Sequence, residues 1–109
     1  MKYNVTLASR VICNDAESLP FIPGTDKKVE LDTDSGAGQE IWWGYLRMRE
    51  KQKTQNLKDG DWQKIKVPAD NDPRNEVNKF REAINIFMRF MTGEGRDNCL
   101  AVKDIRPVT

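Results

Sequence analysis

Residues 73–92 carry the pattern that most restricts how this chain folds. Val77, Phe80, Ile84, Phe87 and Met91 recur at steps of three and four, flanked by Ala83 and Phe90. That spacing places them on one stripe of an α-helix. Asp72 can cap the helix, and Pro73 suits its first turn, where a missing N–H costs nothing. Gly93 supplies a left-handed stop. Such a helix is about 30 Å long and needs an apolar surface to cover it. Ile86 and Met88 lie off the main stripe and, with Phe90, widen the apolar surface. Two readings follow: the excess is a second contact surface, such as a dimer interface through Ile86, Met88 and Phe90, or both flanks of the helix are covered by a sheet.

Period-2 alternation supplies the sheet. Residues 2–13 set Tyr3, Val5, Leu7, Val11 and Cys13 on one face and Lys2, Asn4, Thr6 and Arg10 on the other, a pattern typical of a half-buried strand. Ser9 falls on the apolar face and is read as a bulge or bend. The 14–26 loop carries Pro20 and the Pro23-Gly24 turn pair, with Leu19, Phe21 and Ile22 to pin it. A short strand is predicted at 27–33, with Val29 and Leu31 inward, then a polar turn at 33–38. A last strand spans 99–105. At 109 residues the chain suits one domain.

The stretch from Gly38 to Lys53 reads two ways. As a strand, one face carries Trp43, Tyr45, Arg47, Arg49, Lys51 and Lys53; the other carries Trp42, Leu46 and Met48 around Gly44. As a helix, Ile41, Trp42, Tyr45, Leu46 and Met48 cluster, and the composition favours it. Against the helix, Arg49 falls inside the apolar arc, Trp43 lies outside it, and an interior glycine costs about 1 kcal/mol relative to alanine. The strand is the preferred reading. After a 54–60 loop ending in the hairpin-favouring Asp59-Gly60 pair, residues 61–67 repeat the pattern, with Ile65 and Val67 on one face and Trp62, Lys64 and Lys66 on the other. The expected architecture is therefore α+β: a mostly antiparallel sheet of about five strands packed against one long amphipathic helix.

Pairing 41–53 with 61–67 would gather Trp43, Tyr45, Arg47, Arg49, Lys51, Lys53, Trp62, Lys64 and Lys66 into one aromatic-basic patch. Rings stack unpaired bases and cations track phosphates, so the patch is a candidate surface for single-stranded DNA or RNA. Tyr45-Leu-Arg-Met-Arg-Glu-Lys-Gln-Lys53, Trp62-Gln-Lys-Ile-Lys66 and Asn78-Lys-Phe-Arg-Glu-Ala83 resemble a Pur-type repeat. The four-strand-then-helix order is also similar to Whirly-like single-strand binders. That resemblance covers about residues 27–92. It implies a sheet surface that binds single strands through Tyr45, Arg47, Arg49, Lys64 and Lys66, and an apolar helix that pairs two units.

Charge and composition bound the alternatives. Net charge is only +1, so no general polyanion affinity is indicated. Residues 14–40 carry an excess of acids and residues 41–81 an excess of bases, which can form a local positive face, attract each other, or lie on separate solvated surfaces. The chain contains no histidine, the commonest general base and metal ligand. Asp59/Asp61 and Asp70/Asp72 are spaced like ordinary turn and cap aspartates, and the short glycine pairs lack the phosphate-loop pattern. A non-enzymatic protein with no cofactor and no metal is expected; a nuclease accessory using Asp70/Asp72 is the weakest option. Cys13 and Cys99 have no zinc spacing and are read as buried free thiols in a cytoplasmic protein, or as a disulfide if it is exported. No apolar run approaches the ~20 residues of a membrane span. The alternative function is a protein-binding module, an inhibitor or assembly factor, using the same Trp/Tyr/Arg patch and the acidic 14–40 segment.

Overall fold

The computed structural model describes residues 1–13, 20–55, 76–93 and 95–108. Its elements are β1 (Lys2–Ile12), β2 (Lys27–Asp32), α1 (Gly36–Gln55), α2 (Glu76–Thr92) and β3 (Asp97–Pro107). The strands form an antiparallel sheet in the order β2-β1-β3. Among the described residues, two helices separate β2 at one sheet edge from β3 at the opposite edge. No helix among the described residues is long and apolar enough to cross a membrane.

Alternation in β1 directs Tyr3, Val5 and Leu7 into the core, where they meet Val102 and Ile105 of β3. Ile41 and Tyr45 of α1 close the core, together with Phe80, Ala83, Ile84 and Ile86 of α2. Aromatic rings tie the layers together. Tyr3 lies 5.2 Å from Phe80, which meets Trp42 edge-on at 5.8 Å, and Trp42 stacks on Tyr45 at 5.7 Å. Burial, with a smaller contribution from Glu76, pushes the Tyr3 phenol up to about 12 because the phenolate is disfavoured there.

The other sheet face is polar around Asn4, Thr6, Lys28, Glu30, Asp104 and Arg106. Towards the far end of β1 the 20–26 segment runs along the strand's edge: Ile22 N–H donates to the Ser9 carbonyl at 2.7 Å and Ser9 N–H donates to Thr25 Oγ1 at 3.0 Å. The Arg10 guanidinium lies 4.8 Å from the Phe21 ring. Ser9 thus anchors a loop. The ladder irregularity falls at Thr6/Leu7 instead, where Lys103 is the extra residue on β3. Beside it, Val102 N–H donates to Asn85 Oδ1 of α2 at 2.8 Å, giving that strand amide a partner.

The expected five strands on one helix are corrected, among the described residues, to three strands and two helices. Residues 38–53 belong to α1, and their helix-favouring composition decides it. The objections to a helix have local answers. Arg49, inside the apolar arc, sets its guanidinium 5.9 Å from the Tyr45 ring, a favourable cation–π arrangement. Trp43 is simply exposed, as is Leu46, expected inward. In place of the four-strand-then-helix order implied by the Pur-type and Whirly-like resemblance, the described residues run ββααβ. Residues 54 and 55, expected to open the 54–60 loop, belong to α1 instead; the rest of that loop, the strand at 61–67 and the Asp72-Pro73 cap lie outside the described residues.

Two other expectations change. Val11 is exposed rather than inward. Cys13 and Cys99 are joined in a disulfide rather than free, because antiparallel pairing of β1 with β3 brings their Cα atoms to 4.8 Å.

Gly38 fixes how α1 meets the sheet. A Cβ there would lie 2.3 Å from the Asp32 carbonyl oxygen, so only glycine lets the helix start this close to the end of β2. The turn before it is organised by Asp32. Its carboxylate accepts from Asp34 N–H at 2.9 Å, from the Met1 ammonium at 3.2 Å and from Ser35 Oγ at 3.3 Å, and the Asp34 N–H first, then the Met1 ammonium, hold it below the usual carboxylate range.

Candidate docking site on the helical face

The helical geometry of α1 redistributes the residues expected to bind nucleic acid. Two positions along a strand return to the same face, whereas two positions along a helix turn through about 200°. Trp43, Arg47 and Lys51, four apart, now form one exposed stripe. Tyr45 is buried in the core, and half-buried Arg49 lies beside its ring. A tyrosine with 4 % exposure has no face for a base to stack on. Lys53 lies within α1, but its side chain is outside the described set. Trp62, Lys64 and Lys66, like Asp59, Asp61, Asp70 and Asp72, are outside the described residues.

The three residues expected at a dimer surface also separate. Ile86 is buried in the core and Met88 is half-buried against it, while Phe90 is exposed. What accompanies Phe90 is the continuation of the α2 stripe. Phe80 and Ile84 are fully buried at 0 % exposure, but Phe87 and Met91, further along the same stripe, are exposed at 39 % and 71 %, with Phe90 at 57 %.

Beside these residues runs an apolar groove of about 160 Å³ between α1 and α2. Ile41, Tyr45, Ala83 and Ile86 contribute its buried lining, and Glu40, Met48, Phe87 and Phe90 also border it. Gly44 lines the groove as well, and a Cβ there would meet nothing within 4 Å. This glycine therefore does not serve close packing. Its lack of a side chain keeps the groove open. Grooves of this kind, with aromatic and methionine borders, suit apolar side chains of a partner.

Among the described residues of the acidic segment, Asp26, Glu30, Asp32 and Asp34 each have a partner outside the 41–81 block. Asp26 accepts from Lys103 Nζ of β3 at 3.0 Å, and Glu30 lies 4.0 Å from Lys2 of β1. Asp32 and Asp34 also contact the Met1 ammonium.

Sequence spacing alone places Phe87 and Met91 on the same stripe as the core residues and carries no sign of the groove. The available signal for their exposure was the length of the α2 stripe, which continues beyond the residues that α1 and the sheet cover. No protein-family model, curated protein or solved structure matches this chain.

Proposed function

We propose that this chain is a non-enzymatic protein-binding module, an inhibitor or assembly factor, that docks apolar side chains of a partner on the α1–α2 face. One observation carries the reading: the α2 stripe that is fully buried at Phe80 and Ile84 emerges at Phe87 and Met91, with Phe90 alongside and the groove beside them. Large apolar side chains grouped at a concave surface are typical anchors of a protein interface. The test is site-specific photo-crosslinking in the source cell. A photoreactive residue at Met91 is expected to give a discrete partner adduct that Phe90→Ser abolishes. The same adducts from a probe at Thr6, on the polar sheet face, would overturn the reading.

A second reading has its own observation. Trp43, Arg47 and Lys51 are exposed at four-residue steps along α1, roughly 6 Å apart along the axis. One ring and two cations in line can stack a base and follow a single strand's phosphates. This reading expects an oligonucleotide to quench tryptophan fluorescence, with affinity falling steeply as salt rises and weakened by Arg47→Ala with Lys51→Ala. Absence of quenching by DNA and RNA oligomers at low salt would sink it.

A further inference from the structure

The end of α2 that carries Phe90 and Met91 is joined to the end of β1 by an unbroken set of links. Gly93 N–H donates to the Arg89 carbonyl at 2.8 Å, and Arg96 N–H donates to the Gly93 carbonyl at 3.2 Å. Cys13 N–H then donates to the Arg96 carbonyl at 2.7 Å, and Gly95 N–H to the Cys13 carbonyl at 2.8 Å. The Cys13–Cys99 disulfide closes the circuit, with both residues buried. The connection from α2 into β3 is unfavourable to form unaided. Gly93, Gly95 and Asn98 all have positive φ, at 98°, 83° and 61°, and Asn98 does so with a side chain in place. Two glycines also leave the free segment many alternative conformations.

We propose that the Cys13–Cys99 bond is a redox-linked latch that holds the turn residues Gly93, Gly95 and Arg96, and through them the last turn of α2, against the end of β1. The latch stands independently of the docking reading; only its consequence, a redox-dependent Phe90–Met91 surface, rests on that reading. Opening it needs a dithiol. One thiolate attacks a cysteine sulfur, the S–S bond breaks, and a mixed disulfide forms. The second thiolate displaces it, leaving the reagent oxidised by two electrons and the two released thiolates of Cys13 and Cys99 protonated. Because both cysteines are buried, this attack waits for the turn to open.

Hydrogen exchange on the full chain tests the latch, comparing the oxidised protein, the protein reduced with dithiothreitol, and the Cys13→Ser/Cys99→Ser variant. The amides of Cys13, Gly93, Gly95 and Arg96 are expected to exchange at least about tenfold faster on reduction than any acceleration at Val5 and Leu7 in central β1. The double-serine variant is expected to match the reduced protein under both conditions. Equal acceleration at both places would overturn the latch, since the bond would then be a global staple. Unchanged exchange at the turn would overturn it too, as would two thiols that stay free after treatment with oxidised glutathione. Crosslinking from Met91 in the two redox states is scored separately. A working latch with no partner adduct in either state sinks the docking reading alone.

Discussion

The two halves of α2 obey one sequence pattern and meet two environments. Phe80 and Ile84 are sealed between Tyr3, Trp42 and the sheet, whereas Phe87 and Met91, on the same stripe, face outward. Periodicity sets the direction in which a helix presents its apolar residues. It does not set how far along the helix the covering elements extend. Here the cover ends after about the third turn of α2, and the remaining apolar surface borders a groove.

The sharpest test of that difference is at the sealed end. Phe80→Ala removes a fully buried ring that touches Tyr3 and Trp42 and is expected to cost about 3–5 kcal/mol, measured by urea unfolding. A loss below about 1 kcal/mol would mean that the two halves of α2 are equally open. The same end carries a pH reporter in Tyr3, whose phenol is raised to about 12, chiefly by burial. A raised folded value means that its contribution is complete below the ordinary value near 10 and is lost as pH rises from there through about 12. Stability should therefore fall over that window, and Tyr3→Phe should remove this component of the slope.

Gly38→Ala attacks the cover rather than what it covers. The new methyl would collide with the Asp32 backbone, pushing α1 off the end of β2 at an expected cost of about 1–3 kcal/mol. Thermal unfolding measures the loss. An unchanged midpoint would show that α1 tolerates displacement and that the boundary of the cover is soft.

How far these environments could be read from the sequence depends on the element. β1 and α2 were legible because their burial is one-sided: Tyr3, Val5 and Leu7 alternate cleanly, and Phe80 and Ile84 keep helical spacing. α1 was not legible. Trp43 and Leu46 are exposed, while Arg49 shelters beside Tyr45, so no single stripe records which face is inward. Reading it as a strand gathered Trp43 and Tyr45 on one face; the helix puts one outside and the other in the core. The disulfide depends on strand pairing between residues 86 positions apart in sequence, a non-local fact that spacing alone does not encode. Within the candidate site, Phe90 was legible as excess apolar width. Phe87 and Met91 were hidden because they fit the core stripe.

Gly44 offers a test of opposite sign. It lies in the interior of α1, and a Cβ there would enter open space beside the groove, so Gly44→Ala is expected to stabilise the fold by up to about 1 kcal/mol. Placed beside Gly38→Ala, it separates a glycine required by backbone approach from one that keeps a surface concave. Destabilisation by Gly44→Ala would mean that the groove is already filled in solution. Gly44→Leu extends the test by occupying the groove, and it should abolish the Met91 crosslink without lowering the unfolding midpoint.

The smallest stability effect belongs to the open end of α2. Phe90→Ser with Met91→Ser replaces the two most exposed large apolar side chains of the helix. Because solvent already reaches both, the unfolding free energy is expected to move by no more than about 0.5 kcal/mol. The contrast with Phe80→Ala is the point, since helix and residue class are the same and only the cover differs. If the open end is a docking surface, this double variant should lose its partner while melting like the parent. A cost of about 2 kcal/mol or more would place Phe90 and Met91 in a packed interior. The stripe would then be uniform along α2, and the helical face would have no vacancy for a partner.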